Sequence, residues 1–411
     1  MSFWNDPIRF VAEWLQGLLT GWGLNQSFAD VLLALLGALL LITFSLVLAI
    51  FLVWVERKVV ARFQDRLGPN RLGPFGLIQP FADIIKLLIK EDTTPAGADK
   101  FLYNLAPVLA LASVLLLWAI LPLASVIYGV DLNVALLYLI AAGALGTLAI
   151  IMGGWASNNK YALLGAFRMV ATMISYEIPM VVALLIPTIL AGTMSVRGIA
   201  EAQGSVWFFF LSPLAAVIFL ISAVAELGRA PFDLNEAESE IIAGFHIEYS
   251  GMKFGLFYAG ELLHAFTFGG FAALLFFGGY GGFFGLQNLP AFAWLNNPFV
   301  QTPVFMLKAM LGYWVIMWIK YTMPRVRIDH MLAFNWKFLT PLALVLLMVT
   351  AVLDRWLDGS NWYAAGLFFS NVVIAWLTIE ILRAYGRKQR KAEAARLGSD
   401  CAQAGAQSAQ Q

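Results

Sequence analysis

The sequence has few charged residues, one cysteine and three histidines, and each scarcity excludes a class of protein. Charged residues make up 12% of the 411 residues, about half of the fraction that is usual in soluble domains. The single cysteine, Cys401, lies in a polar C-terminal segment, which excludes an internal disulfide, a thiolate iron–sulfur centre and a zinc finger within the chain. The histidines have no metal-ligand spacing, and the net charge of +1 gives no indication of nucleic-acid binding.

Apolar residues, in contrast, make up 61% of the chain and form repeated runs long enough to cross a membrane, which takes about 20 residues in a helix. The runs are continuous and do not alternate with polar residues, which favours helices over the strands of a barrel. We therefore predict an all-α polytopic membrane protein without a cleaved signal peptide. The nine predicted spans are 30–55, 101–123, 133–155, 167–191, 206–226, 256–280, 301–322, 338–357 and 361–382.

Two shorter segments have apolar residues at helical spacing and are predicted to lie on the membrane surface. They are residues 7–22 and 76–90. We accordingly divide the chain into an N-terminal interfacial helix within 1–29, a transmembrane domain over 30–382 and a C-terminal tail over 383–411. The tail begins basic and ends small and polar, and we expect it to be partly disordered.

The distribution of Lys and Arg predicts the orientation of the spans. Of the 26 Lys and Arg residues, 22 fall on one side of the nine-span arrangement. Positive charge accumulates on the cytoplasmic side of membrane proteins, so the N-terminus is expected outside and the C-terminus in the cytoplasm. The inner segments are then 56–100, 156–168, 227–255, 320–337 and the tail.

The third inner segment is unusually acidic. Residues 225–249 contain six carboxylates, Glu226, Asp233, Glu236, Glu238, Glu240 and Glu248. Like charges this close raise one another's pKa, as does poor hydration, so the segment is expected to hold and exchange protons near neutral pH. Glu177, about ten residues inside a predicted span, and Glu261, just inside the next one, add two acids in the membrane. A carboxylate at the depth of Glu177 has to be protonated, paired or hydrated.

The first inner segment combines ordered turns with fixed charge. Gly68-Pro69 and Gly73-Pro74 predict turns before the amphipathic helix over 76–90. Anchoring of the first span would explain the arginines of this segment, but it would not explain Asp83 on a helix that faces the membrane.

Four inner motifs together resemble one family in order and over most of residues 30–350. They read ERKVVARFQDRLGPNRLGPFGLIQPFADIIKLLIKED, WASNNKYALLGAFR followed by ISYE, AELGRAPFDLNEAESEIIAGFHIEYSG, and MPRVRID. The family is that of the quinone-site membrane subunits of respiratory complex I, the proton-pumping NADH:quinone oxidoreductase. Gly228 departs from the asparagine often found before the loop arginine, and the sequence around Glu261 is looser than usual.

The resemblance implies roles for particular residues. It implies that Arg57, Arg66, Phe81 and Asp83 line the tunnel through which a quinone enters. It implies that an acidic funnel couples quinone reduction to proton translocation, with Arg229 and Asp233 ordering its loop. The implied funnel residues are Glu177, Glu226, Glu236, Glu238, Glu240, Glu248 and Glu261.

The resemblance also implies the setting of the chain. Quinone is the implied substrate, and the chain binds no metal or flavin itself, because FMN and the iron–sulfur clusters belong to partner subunits. The implied partners are peripheral-arm iron–sulfur and quinone-site subunits, other membrane-arm subunits, and lipid of a bacterial inner membrane. Two alternatives remain open at this point: the homologous ion-coupling subunit of a membrane-bound hydrogenase-type complex, and a stand-alone secondary ion transporter.

Overall fold

The computed structural model of the protein describes residues 6–408 apart from 23, 234–241, 282–283, 286–288, 358 and 361, with side chains up to residue 387 except those of 291 and 293. Its regular structure over these residues is entirely helical. Eight helices in the described part are long and apolar enough to cross a membrane. The predicted all-α polytopic fold is therefore confirmed.

The helices follow one another in a simple order, and we number them along the chain. They are α1 Pro7–Gly21, α2 Gln26–Phe63, α3 Gln79–Ile89, α4 Lys100–Trp118, α5 Ala135–Ala156, α6 Lys160–Ala191, α7 Val196–Ala202, α8 Phe208–Leu211, α9 Pro213–Glu226, α10 Gly251–Phe276, α11 Pro298–Thr322, α12 Ile328–Phe334, α13 Thr340–Leu357 and α14 Tyr363–Ser408. One π-helical turn, Asn335–Leu339, joins α12 to α13, and these form a single span.

The predicted span over 206–226 is interrupted in the structure. Ser212 has non-helical backbone angles, φ −141° and ψ 71°, and separates the single turn of α8 from α9. Pro213 has no N–H to donate and disfavours a helical conformation at the residue before it, so a new helix begins there. The 14 residues of α9 rise about 21 Å, which is less than the ~30 Å hydrocarbon core.

The first inner segment folds back against the end of α2. Gly73 and Gly76 have positive φ angles of 73° and 78°; Gly73 precedes a single 3₁₀ turn, Pro74–Gly76, and Gly76 ends it. The indole N–H of Trp54, in α2, donates to the carbonyl of Phe75 at 3.2 Å. The amphipathic helix predicted over 76–90 consequently begins later, at Gln79, and packs against both α2 and α10.

The core of the bundle is α10, which is buried along most of its length and packs against α4 and α11. The close approach of α10 and α11 depends on two glycines. A Cβ on Gly269 would lie 2.6 Å from the carbonyl oxygen of Ala309, and a Cβ on Gly312 would lie 2.9 Å from the Cα of Gly269. Small residues that allow backbones to approach are the usual device for helix packing in lipid. This packing brings the inner ends of α2, α10 and α11 together.

Candidate functional site

A buried arginine joins three elements at the inner end of the bundle. Gly228, with φ 60°, reverses the chain after α9 and turns Arg229 into the protein, where its side chain is 1% exposed. The Arg229 guanidinium pairs with Glu56 of α2, Nη1 to Oε1 at 3.0 Å. It also pairs with Glu261 of α10, Nη2 to Oε1 at 3.1 Å. One side chain thus holds the acidic segment against two transmembrane helices.

Glu56 is the second centre of this cluster. Its Oε1 accepts hydrogen bonds from Arg229, from the Lys320 ammonium at 2.9 Å and from the Tyr321 hydroxyl at 2.6 Å. Lys320 and Tyr321 lie in the last turn of α11, so a fourth element joins the site. The ion-pair cluster of Glu56, Arg229, Glu261 and Lys320 contains two anions and two cations. Such a balance offsets part of the cost of removing the charges from water, although Oε2 of Glu56 and Nε of Arg229 have no hydrogen-bond partner among the described residues.

Neighbouring carboxylates keep the Arg229 side chain in its charged form. Burial acts to lower the pKa of Arg229, but the carboxylates of Glu261 and Glu56 outweigh it, so the pKa lies above its usual value. The cation is therefore permanent across the physiological pH range. Arg229 itself therefore does not exchange a proton with its neighbours.

A cavity of about 220 Å³ adjoins the cluster between α4, α5, α6 and α10. That volume is sufficient for several water molecules. The titratable side chains along its wall are Glu226, His246, Tyr258, Glu261, His264 and Lys320. The cavity therefore connects the ion-pair cluster with Glu226, which the pairs themselves do not reach.

Glu226 is buried, with 6% of its surface exposed, and its Oε2 has no hydrogen-bond partner among the described residues. It interacts electrostatically with Glu177 of α6. Burying an unpaired carboxylate costs several kcal/mol, so this pair of acids requires a proton, water or a cation.

The predicted quinone residues are only partly brought together. Arg57, the residue after Glu56, forms an ion pair with Asp83 of α3 at 2.5 Å. Phe81 lies on the same helix and is half exposed. Arg66 does not join them: its Nε donates to Gln64 at 2.7 Å. The Arg57–Asp83 pair is partly exposed, and Arg57 directly follows Glu56 of the ion-pair cluster in α2.

The remaining predicted acids are held by distant partners. The Glu248 carboxylate accepts from the Asn159 amide at 2.6 Å, which joins the acidic segment to the second inner segment. Asp233 pairs with Arg325 at 3.1 Å, which joins it to the last inner segment. Glu236, Glu238 and Glu240 lie outside the described residues. Nearby, burial lowers the pKa of His246 to about 4, so its imidazole is neutral at physiological pH.

Three members of the site, Glu56, Lys320 and Tyr321, are not predicted from the sequence. Glu56 looks like the polar end of a span, and Lys320 looks like one more positive charge on the inner side. A signal was nevertheless present. Glu56 and Arg57 end the first apolar run, and residues 225–255 hold six acids but only two cations, Arg229 and Lys253. The compensating charge therefore had to come from other segments.

Comparison with known proteins gives consistent relatives. A family model described as NADH dehydrogenase matches residues 36–351. The H subunit of NADH-quinone oxidoreductase from Dehalococcoides mccartyi is 47% identical over 312 residues, 76% of this chain and 84% of that protein. The corresponding protein of Geobacillus kaustophilus is 47% identical over 324 residues, 78% and 93% of the two chains. One from Geobacter metallireducens is 46% identical over 314 residues, 74% and 91%. The ion-pair cluster lies within the matched region, whereas α1 and α14 lie outside it.

Proposed function

Because this chain belongs to the NADH dehydrogenase family, with NADH-quinone oxidoreductase membrane subunits among its relatives, we propose that its ion-pair cluster couples quinone reduction to proton movement. The chain is a multi-pass membrane subunit of this multi-subunit, proton-pumping enzyme, whose substrate is a quinone. The observation that carries the proposal is the bridging of Glu56 and Glu261 by the buried Arg229, next to a cavity that reaches Glu226.

The quinone would approach along the first inner segment. We assign the tunnel lining to Arg57, Arg66, Phe81 and Asp83. Arg57 and Asp83 form an ion pair, and Phe81, on the same helix as Asp83, is half exposed. A quinone headgroup has carbonyl oxygens that accept hydrogen bonds and a ring that packs on aromatic side chains. Arg57 can donate to the carbonyl oxygens, and Phe81 can pack against the ring.

Coupling follows from the charge that reduction creates. Reduction of a quinone to a quinol takes up two electrons and two protons, so an anion forms whenever an electron arrives before its proton. An anion near Arg57 would act on the neighbouring Glu56 through a medium of low dielectric. Glu56 shares Arg229 with Glu261. If the ion pair between Arg229 and Glu56 weakens, the ion pair between Arg229 and Glu261 is therefore expected to strengthen.

The proton path would then lead from the cluster through the cavity into the membrane. We assign it to Glu177, Glu226, Glu236, Glu238, Glu240, Glu248 and Glu261, with Arg229 and Asp233 ordering the loop. The cavity supports the step between Glu261 and Glu226, because both carboxyl groups line it. The interaction of Glu226 with Glu177 supports the next step, toward the middle of the membrane.

The electron donors, the partner subunits and the orientation of the chain are also part of this proposal. The electrons would come from FMN and iron–sulfur clusters in partner subunits, and the chain itself would contact peripheral-arm and membrane-arm subunits. We place it in a bacterial inner membrane with the N-terminus outside and the C-terminus in the cytoplasm. The relatives from NADH-quinone oxidoreductase do not favour the hydrogenase-type alternative or a stand-alone transporter.

The quinone tunnel is tested by Asp83→Ala in the assembled complex. The Arg57–Asp83 pair is partly exposed, so its loss should change stability by less than about 1 kcal/mol. We expect quinone reduction by NADH to fall about tenfold, which corresponds to ~1.4 kcal/mol in the barrier, while NADH oxidation by an artificial acceptor is unchanged. Asp92→Ala is the matched control, because Asp92 also pairs with a cation, Lys253, at 2.9 Å. If both activities fell together, or if both variants behaved alike, the tunnel assignment would be wrong.

A further inference from the structure

The first helix, α1, has three distinct faces. Ala12, Leu15, Gln16 and Leu19 are half-buried, and this face packs against α2. A second face is polar and exposed and carries Arg9, Glu13 and Thr20. The third face is apolar and exposed. Its members are Ile8, Val11, Trp14, Leu18 and Trp22, with exposed fractions of 50%, 43%, 62%, 38% and 78%.

The position of α1 relative to the membrane follows from the chain that continues from it. α2 begins at Gln26, four residues after Trp22, and the Gln16 amide donates to Asp30 of α2 at 2.7 Å. α1 is thus tied to the first turns of a transmembrane helix. From Gln26 to Glu56 the helix rises about 45 Å, which is close to the full thickness of a bilayer with its headgroups, ~40–45 Å. α1 therefore lies at the membrane surface opposite to the ion-pair cluster.

The exposed apolar face of α1 also continues a surface that faces lipid. Phe28, Leu32 and Leu35, near the start of α2, are 57%, 41% and 63% exposed. No described part of the chain covers this side of the transmembrane helix, which favours hydrocarbon against it. α1 also lies before residue 36, where the match to the family model begins, so this surface is additional to the part that the model covers.

We infer that α1 is a lipid-bound surface helix, with Trp14, Leu18 and Trp22 in the acyl-chain boundary of the leaflet opposite to the ion-pair cluster. The half-buried face of α1 then packs against α2, the polar face is in water, and the exposed apolar face is in lipid. Tryptophan prefers this depth because its ring is apolar and its N–H is polar.

The electrostatics of α1 specify the kind of lipid contact. Arg9 is paired with Glu13 at 3.0 Å, and Asp6 caps the helix. The polar face therefore has no excess of positive charge to attract anionic headgroups. Binding should depend on buried apolar area and not on lipid charge.

Site-specific photo-crosslinking in the assembled complex tests this inference. The photoreactive residue p-benzoylphenylalanine would replace Trp14 in one variant and Thr20, on the polar face, in the control. The complex would be reconstituted in phosphatidylcholine vesicles that contain an alkyne-bearing phosphatidylcholine. We expect at least fivefold more lipid adduct from position 14 than from position 20. Adducts from position 14 to another subunit, or equal lipid labelling at both positions, would overturn the inference.

Lipid composition provides a second readout of the same variants. Replacing one third of the phosphatidylcholine by phosphatidylglycerol, at low and at high salt, should change the yield at position 14 by less than twofold. A steep rise with phosphatidylglycerol that salt abolishes would contradict binding through apolar area. Neither measurement depends on quinone chemistry, so failure here leaves the proposed function intact.

Discussion

Replacing Glu56 by glutamine removes the anion at the centre of the ion-pair cluster and keeps its shape. In the native site Oε1 of Glu56 accepts from three donors, Arg229, Lys320 and Tyr321. The amide of Glu56→Gln can still accept, but it carries no charge. Arg229 keeps Glu261 as its partner, while Lys320 loses the carboxylate at 2.9 Å.

The magnitude follows from burial. The side chains of Glu56 and Arg229 are 4% and 1% exposed, so their contact is not screened by water. Breaking a buried pair by removing one charge typically costs about 3–5 kcal/mol, because the partner remains buried. Lys320 is 24% exposed and can recover part of its hydration. We therefore expect a destabilisation of about 3 kcal/mol, together with a loss of quinone reduction.

The assay compares thermal dissociation and quinone reduction in the purified complex. The control is Glu13→Gln, because Glu13 forms a pair of the same length, 3.0 Å, with Arg9, but both side chains are more than half exposed. Exposed pairs contribute ~0–1 kcal/mol, so the control should resemble the wild type. If Glu56→Gln assembled, melted and reduced quinone like the control, the ion-pair cluster would be neither structurally nor functionally important.

Three further predictions concern the acidic segment. Burial lowers the pKa of His246 from 6.5 to about 4, so the unfolded chain binds the additional proton between these values and stability falls as pH falls from about 6.5 toward 4. His246→Gln should flatten that decline when melting is measured at pH 7.5 and pH 5. Gly228 has φ 60°, so Gly228→Asn should assemble normally, whereas Gly228→Val should lose about 1–2 kcal/mol of stability; equal melting of the two variants would show that this angle is unimportant. Glu236→Gln should impair proton pumping and turnover while native gels show an intact complex, and normal turnover would remove this acid from the path.

The glycine at residue 228 shows how local sequence explains a backbone turn. The glycine departs from the asparagine that is often found in the family. Both residues tolerate the left-handed conformation that the turn requires, since glycine has no Cβ and asparagine forms local hydrogen bonds. The departure is therefore compatible with the same turn, and Arg229 still enters the core.

The class of the protein and most of its helices could be predicted from the residues alone, because a span of apolar residues is recognisable without knowing its neighbours. The family could be predicted as well, since four long motifs occur in one order. The break at Ser212 and the late start of α3 at Gln79 were not anticipated. They depend on a proline and on glycine conformations that the hydropathy pattern does not report.

Which charges meet, in contrast, is visible only in the folded chain. Glu56 and Lys320 are 264 residues apart, and each looks like an ordinary polar end of a span. They become a site because the helices α2, α10 and α11 end side by side and Arg229 is turned between them. Periodicity reports which face of a helix is apolar, but a pairing between distant residues depends on how whole helices pack.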